Sequence, residues 1–376
     1  MKKALFIEDL EYLQGKLIRH PLFIQNKAER FKFDALFHKI IDGVTTYDDF
    51  ISASNQLTCF FCDGHTNIEL PYLTEDRAIN LPCYWRGDKL LLSTAYNGIE
   101  SDSEIVVIEN TPINTVVSYM AERIPHENEY LVKSRMINYP YKNYHVFSEF
   151  NLKALFGLKD CFRVRFISRG KDIEIELPLE RYNGYLDFND SNFVYYEIAG
   201  DTAVLHLEAC ICNDFYKTIL CELADLCLRQ NIKVLVLDLS KNMGGNSAVI
   251  DEFIKHTSID TYKRYEMIDY SQGRAEYVTR RADLVKNIKY TNCFQAEIHC
   301  NVSHDTFSSA RTFAVTLKDN GIAVKITGCP TGGKPNSFGM PQRFKTPNCL
   351  VPFRVSRCLF LRPNKDDDDA ISLFPD

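Results

Sequence analysis

The spacing of apolar residues changes character twice along the chain. Residues 7 to 62 set them three and four apart in "IEDLEYLQGKLI", "ERFKFDALFHKII" and "FISASNQLTCFF", which predicts amphipathic helices. "TTYDDF" leads into the last of these with a threonine cap and acids in the first turn. From about 83 to 182 the rhythm becomes alternation in short runs, "KLLLSTA", "EIVVIEN", "RVRFISRG" and "IEIEL", broken by turns. That pattern predicts a small β-rich domain.

From about 193 strands and helices alternate. "VYYEIA" and "AVLHLEA" precede a helix over "FYKTILCELADLCLRQ", and "KVLVLDL" follows as a fully buried strand. After "SKNMGGN" come a helix over "SAVIDEFIKH", an irregular charged insert near 258–290, the strand "QAEIHCNV", a helix over "ARTFAVTLKDNG" and the strand "AVKITG". Apolar strands separated by amphipathic helices predict a mostly parallel α/β layer, whose sites collect where strands end and helices begin. The expected fold is therefore α/β within an α+β multidomain chain, divided at 1–75 (helical), 76–190 (β-rich) and 191–376 (α/β core).

Composition narrows the function. The chain has 376 residues, 45% hydrophobic and 25% charged, ordinary for globular domains, and enough for two or three of them. A net charge of −6 gives no basic footprint for nucleic acid or an anionic membrane, so small polar or peptide partners fit better. Thirteen cysteines without framework spacing are expected to be mostly buried, reduced thiols. The start, "MKKALFIEDLEYL", breaks at Glu8 and Asp9, too early for a signal-peptide core, and no long apolar run predicts a membrane span. The sequence as it stands suggests a cytoplasmic protein, and a secreted one with its leader removed would look the same.

Four segments carry candidate chemistry. In "VLVLDLSKNMGGN" a strand ends at Asp238, and Gly244 and Gly245 precede a helix, so main-chain N–H groups could approach a ligand closely; a plain strand-to-helix turn has the same composition. "GCPTGGKPNSFG" has phosphate-loop spacing at Gly328, Gly333 and Lys334. Pro335, however, stands where a metal-binding hydroxyl belongs, and the residues after it cannot start a helix, which argues against a nucleotide site. In "CFFCDGHTNIEL" the Cys59–Cys62 pair lacks a second pair and reads as a buried helix end, whereas His65 follows Asp63 and Gly64 in a turn that can project a side chain into a cleft. In "HDTFSSARTF" one of Ser308 and Ser309 falls at a helix N-terminus, where the macrodipole favours developing negative charge; Asp305, Thr306 or either serine could equally cap that helix.

The ordered set "DGHT", "DLSKNMGG", "TFSSAR", "GCPTGGKPN" and "KDDDDAISLFPD" resembles the tail-specific (C-terminal processing) serine peptidase family, most closely its tricorn-core-like branch. The resemblance spans nearly the whole chain. It implies a crotonase/ClpP-like α/β catalytic core, an N-terminal helical domain ending in the histidine turn, and a degenerate PDZ-like domain around "SDSEIVVIENTPINTVV". By it, Ser308 is the nucleophile, His65 the general base, and the amides of Ser309 and of Gly244 or Gly245 form the oxyanion hole. Asp369 orients the base, with Asp366, Asp367 and Asp368 as neighbouring choices. Lys334 matches the lysine base of the other branch, but a histidine needs less help to act near neutral pH. Two departures stand out: Ser240 replaces a common arginine, and Arg311 replaces an acid three residues past the nucleophile.

The implied activity is that of a serine endopeptidase working through an acyl-enzyme on peptide or unfolded protein substrates, without cofactor or metal. Its rivals are a Ser308/Lys334 dyad peptidase and a catalytically idle protein that holds a peptide or small ligand on the same scaffold. Assembly as a homo-oligomer is left open by the sequence.

Overall fold

The first helices form where apolar spacing places them. Lys3–Leu17, Lys27–Ile41 and Tyr47–Cys59 are helical in the computed structural model, which describes residues 3–138, 140–184 and 193–376. Thr46 Oγ1 accepts the Asp49 amide at 3.1 Å while the Asp49 carboxylate accepts the Thr46 amide at 2.8 Å, a reciprocal cap that fixes where the third helix starts. Phe6, Leu10, Leu13, Phe33, Phe50 and Leu57 share one apolar core.

That core is closed from far along the chain. Gln342–Lys345 pairs antiparallel with Pro352–Val355, which pairs in turn with Asn67–Ile68, and Phe353 and Val355 are buried among the helix residues. The buried Asp9 carboxylate accepts the amides of Asn348 and Cys349 at 2.8 and 2.6 Å, fastening the intervening turn to the first helix. Residues 340–357, assigned by sequence to the α/β part, thus belong to the compact unit formed by Met1–Leu186 and Met340–Arg357.

A second core in this unit lies on an antiparallel sheet ordered Cys83–Arg86, Lys89–Leu92, Glu104–Ile108, Cys161–Ser168, Lys171–Pro178. Phe162, Val164 and Phe166 alternate inward, as the period-two pattern requires. The β-rich region also carries helices that the alternating pattern did not predict, Ile113–Ala121, Glu129–Asn138 and Glu149–Phe156. The first is rich in β-branched residues, and the second buries Leu131 through Met136 continuously and so shows no amphipathic stripe.

His145, next to the third of these helices, is buried with Nδ1 2.6 Å from the Tyr72 hydroxyl. Burial pushes its pKa down to about 4. Unfolding restores a value of about 6.5, so the unfolded chain binds the extra proton first as pH falls. The stability tied to a neutral His145 is thus complete above about pH 6.5 and is lost progressively toward pH 4, at up to about 1.4 kcal/mol per pH unit. Denaturant unfolding measured across this range should show that slope, and His145→Gln should flatten it; an unchanged slope in the variant would assign the effect elsewhere.

The second unit, Asp187–Gly339 with Cys358–Asp376, holds the α/β layer. Its sheet is ordered Val194–Ala199, Thr202–Leu207, Val234–Asp238, Glu297–Val302, Ala323–Gly328; the first pair is antiparallel and the rest are parallel. Leu205, Leu207, Leu235, Leu237, Cys300 and Val302 turn into one core with Tyr216, Phe253 and Phe313 from the helices Asp214–Gln230, Ala248–Ile254 and Ser309–Asp319. The strand ending at Asp238 was expected to be buried throughout, but it alternates, with Val234, Val236 and Asp238 half-buried on the opposite face.

The charged insert is not irregular. Thr261–Lys263 pairs with Leu284–Lys286, and Glu266–Asp269 and Glu276–Thr279 join Ser337–Gly339 and Cys358–Leu361 in an antiparallel sheet. None of the thirteen cysteines is in a disulfide, and only Cys210, Cys227, Cys300 and Cys358 are buried, fewer than expected; Cys62, just past the end of the third helix, is exposed. Among the described residues no helix is long and apolar enough to cross a membrane.

Candidate active site

Ser308 sits at the junction of a loop and the helix Ser309–Asp319 with φ 53° and ψ −126°, a backbone shape that L-residues adopt only under strain. It makes no side-chain cap bond, so the capping reading of Ser308 fails. Ser309 differs: its hydroxyl donates to the Gly245 carbonyl at 2.8 Å and lies 2.9 Å from the Ser247 hydroxyl, which pins the glycine loop to the start of the helix. Thr306 is buried, with Oγ1 donating to Leu239 O at 2.8 Å and accepting the Ser303 amide at 2.9 Å, so the loop before Ser308 is tied to the end of the strand Val234–Asp238.

The glycine pair lies against this serine. Gly244 has φ +106°, and a Cβ there would stand 2.6 Å from Ser308 Cβ and 3.0 Å from the Ser309 amide nitrogen. Gly245 has φ +138°, and its Cβ would collide with Cys210 O at 2.4 Å. Only residues without side chains allow this approach. Both flanks are bonded to the segment at 210, Cys210 N to Gly244 O at 3.0 Å and Asn246 N to Cys210 O at 2.7 Å.

Asn242 organises the loop, a part that motif spacing did not reveal. It is fully buried; Oδ1 accepts the Gly244 amide at 2.8 Å and the Cys210 thiol at 3.5 Å, and Nδ2 donates to Leu207 O at 2.7 Å. Its main-chain oxygen accepts the Phe307 amide at 3.1 Å. The Gly244 N–H is therefore engaged, whereas among the described residues the amides of Gly245 and Ser309 have no acceptor. Of the two glycines weighed as oxyanion donors, Gly245 is the one with its N–H available.

A polar row crosses the sheet at this end. His206 Nδ1 is 2.9 Å from Asp238 Oδ2, Asn301 Nδ2 donates to Asp238 Oδ1 at 2.9 Å, and Thr327 Oγ1 reaches Asn301 Oδ1 at 3.2 Å, all between residues in cross-strand register. Burial works against the Asp238 charge, but hydrogen bonds from Ser240, Asn301 and His206 outweigh it and keep the carboxylate below its ordinary range. Ser240, where the resemblance leads one to expect arginine, gives its amide to Asp238 at 3.0 Å and its carbonyl to the Ser303 hydroxyl.

In the first unit His65 stands in the turn after the third helix, its side chain 13% exposed and its Nδ1 3.6 Å from Asp63 Oδ1. Asp63 is fully buried and accepts from the His65 amide at 2.9 Å, Thr66 Oγ1 at 2.7 Å and His20 Nε2 at 3.1 Å. His20 Nδ1 accepts the Leu22 amide, so the ring proton is on Nε2 and points at Asp63. Burial pushes His20 down, which keeps it neutral. Burial also opposes the Asp63 charge, but the contacts with His20 and His65 hold that carboxyl well below its usual range. Arg135 Nη2 donates to Gly64 O at 2.6 Å and Glu127 Oε1 accepts the Gly64 amide at 3.2 Å, which completes the turn.

Asp63, His65 and Glu127 offer ligand-type atoms within 4.8 Å of one another. Asp63 takes three donors, so the cluster is a hydrogen-bonded turn that holds the His65 backbone.

The remaining candidates lie in the second unit. Lys334 is exposed, and "GGKPN" runs into the strand Ser337–Gly339 with no helix N-terminus to hold phosphates. Asp369 and Asp366 are exposed; Asp368 is clamped by Arg281 at 2.6 and 3.0 Å, and Asp367 accepts from Asn364 Nδ2 at 3.0 Å.

Residues 201–348 match the model of Peptidase family S41. In structure the chain is similar to mature CPAF, with 13% identity, a TM-score of 0.70, and 99% of this chain and 92% of that chain covered. It is likewise similar to mature CPAF complexed with lactacystin, with 12% identity, a TM-score of 0.67, and 99% and 93% covered. The photosystem II D1 C-terminal processing protease aligns over 100% of this chain and 92% of its own at 14% identity, with a TM-score of 0.48. No curated protein sequence matches the chain. At these identities the structural likeness is one of fold, a mixed helix-and-sheet architecture.

Proposed function

We propose that this chain, a serine peptidase of the tail-specific S41 family through residues 201–348, cleaves peptide bonds by way of an acyl-enzyme on Ser308. The observation that carries the reading is the strained Ser308 backbone, φ 53°, with Gly244 packed against it. A hydroxyl held at such a turn before a helix is presented outward, next to N–H donors that need no reorganisation as the oxyanion forms.

In this reading Ser308 Oγ attacks the scissile carbonyl carbon and its proton passes to the His65 imidazole. The tetrahedral oxyanion accepts from the Gly245 and Ser309 amides. The protonated ring then gives its proton to the leaving amine, and a water repeats the sequence to release the acid. By resemblance the acid that orients His65 is Asp369; Asp63, 3.6 Å from Nδ1 in His65's own unit, is a second carboxylate able to favour the same tautomer. Lys334 fits the base poorly, because a lysine must be desolvated to lose its proton and this one is exposed. The substrate is an extended peptide or unfolded protein, and the sheet with its edge at Cys83–Arg86 is the PDZ-like surface that would take the peptide end by strand addition.

A fluorophosphonate probe tests the reaction, and paired fluorogenic peptides with free and amidated C-termini test end recognition. Wild type should label at Ser308, His65→Gln should label at least about 100-fold more slowly, and the free-ended peptide should turn over faster. Folded wild-type protein that never labels would favour the idle binding protein instead, and equal turnover of the two peptides would remove the end-binding role.

A further inference from the structure

Arg311 is 2% exposed and lies in the first turn of the helix that begins at Ser309. Its Nη2 donates to Ser337 Oγ at 2.6 Å and its guanidinium stands 5.5 Å from the Phe307 ring centre, but Nε and Nη1 are buried without any hydrogen-bond partner. Among the described residues no carboxylate lies within ion-pair distance of it.

The charges nearby do not balance. At the far end of the same helix, Asp319 and Arg362 neutralise each other: Arg362 Nε donates to Asp319 Oδ2 at 3.0 Å, with side chains 3% and 1% exposed. The half-exposed Asp367 adds a contact to Arg362 at 3.4 Å, again to Arg362 and not to Arg311. Asp319 is thus already paired with Arg362, and the buried charge on Arg311 is left uncompensated. An isolated buried ion costs several kcal/mol, and bridging waters would satisfy its N–H groups without cancelling its charge.

We propose that Arg311, with the Ser337 hydroxyl beside it, holds a small monovalent anion of the chloride type beneath the helix that follows Ser308. A single negative charge matches the single uncompensated positive one. The two unpartnered guanidinium nitrogens and the Ser337 hydroxyl are hydrogen-bond donors suited to a spherical anion. Peptide substrates are excluded by burial, so the site is separate from any peptide-binding surface.

The test does not depend on peptidase activity. At constant ionic strength, replacing sodium gluconate by sodium chloride should raise the Tm of the full chain by roughly 3–6 °C. Arg311→Met, which keeps the length but not the charge, should remove that increment, and crystals grown in bromide should give an anomalous peak beside Arg311. Equal Tm in the two salts, or no anomalous peak at the guanidinium, would overturn the proposal. If the methionine variant fails to fold, the wild-type salt comparison and the bromide peak decide the matter between them.

Discussion

Ser308→Ala is expected to lower kcat for peptide hydrolysis by at least about 10⁴-fold while leaving Tm within a degree or two of wild type. The hydroxyl makes no cap bond to its helix, so its loss removes chemistry rather than a helix-start contact. Ser308→Gly sharpens the test. At φ 53° and ψ −126° any Cβ is strained, and glycine should relieve about 1 kcal/mol or more, making an inactive protein that is more stable than the active one. A serine placed only for structure predicts the reverse, with stability lost and turnover kept. Ser309→Ala separates the neighbours: it loses the bond to Gly245 O, so stability should fall by about 1 kcal/mol and activity only in part. Turnover by Ser308→Ala at the wild-type rate would place the nucleophile elsewhere.

What could be foreseen from sequence divides along the range of the forces involved. The Thr46–Asp49 cap and the alternation of Phe162, Val164 and Phe166 are local patterns, and both are found where spacing puts them. Glu129–Asn138 hid because residues 131 to 136 are buried on every side, which erases the helical stripe. Pro352–Val355, and with it its hairpin partner Gln342–Lys345, falls in the first unit because it pairs with Asn67 and Ile68, far earlier in the chain than any local pattern reaches. The site follows the same rule. Gly244, Gly245 and Ser308 carry composition signals at short range, but the role of Asn242 comes from Leu207, Cys210, Gly244 and Phe307 meeting in space, and an asparagine in a turn looks alike whether or not they do. The burial of Arg311 was equally invisible, since arginine on a helix is ordinarily solvated.

Gly244→Ala should cost both stability and turnover, and the two losses have separable causes. The first is conformational: φ +106° is a glycine shape, and any side chain there is strained by about 1–3 kcal/mol. The second is steric, because the new Cβ would lie 2.6 Å from Ser308 Cβ and 3.0 Å from both Phe307 O and the Ser309 nitrogen, two of them main-chain atoms that cannot swing aside. The loop must therefore move away from Ser308, taking the Gly245 donor with it. A displacement near 1 Å in an oxyanion hole lowers kcat by about 10²–10³-fold, with KM changed much less because the donors act on the transition state. Gly87→Ala is the control: it has φ +59° but nothing within 4 Å of its Cβ, so it carries the conformational cost without the clash. Denaturant unfolding of both variants, with kcat and KM measured alongside, should show Gly244→Ala less stable than Gly87→Ala by about 1–3 kcal/mol and alone in losing turnover. Wild-type kcat in Gly244→Ala would mean that the loop bearing Gly245 does not serve the oxyanion, and the donor would have to be sought away from the Asn242 turn.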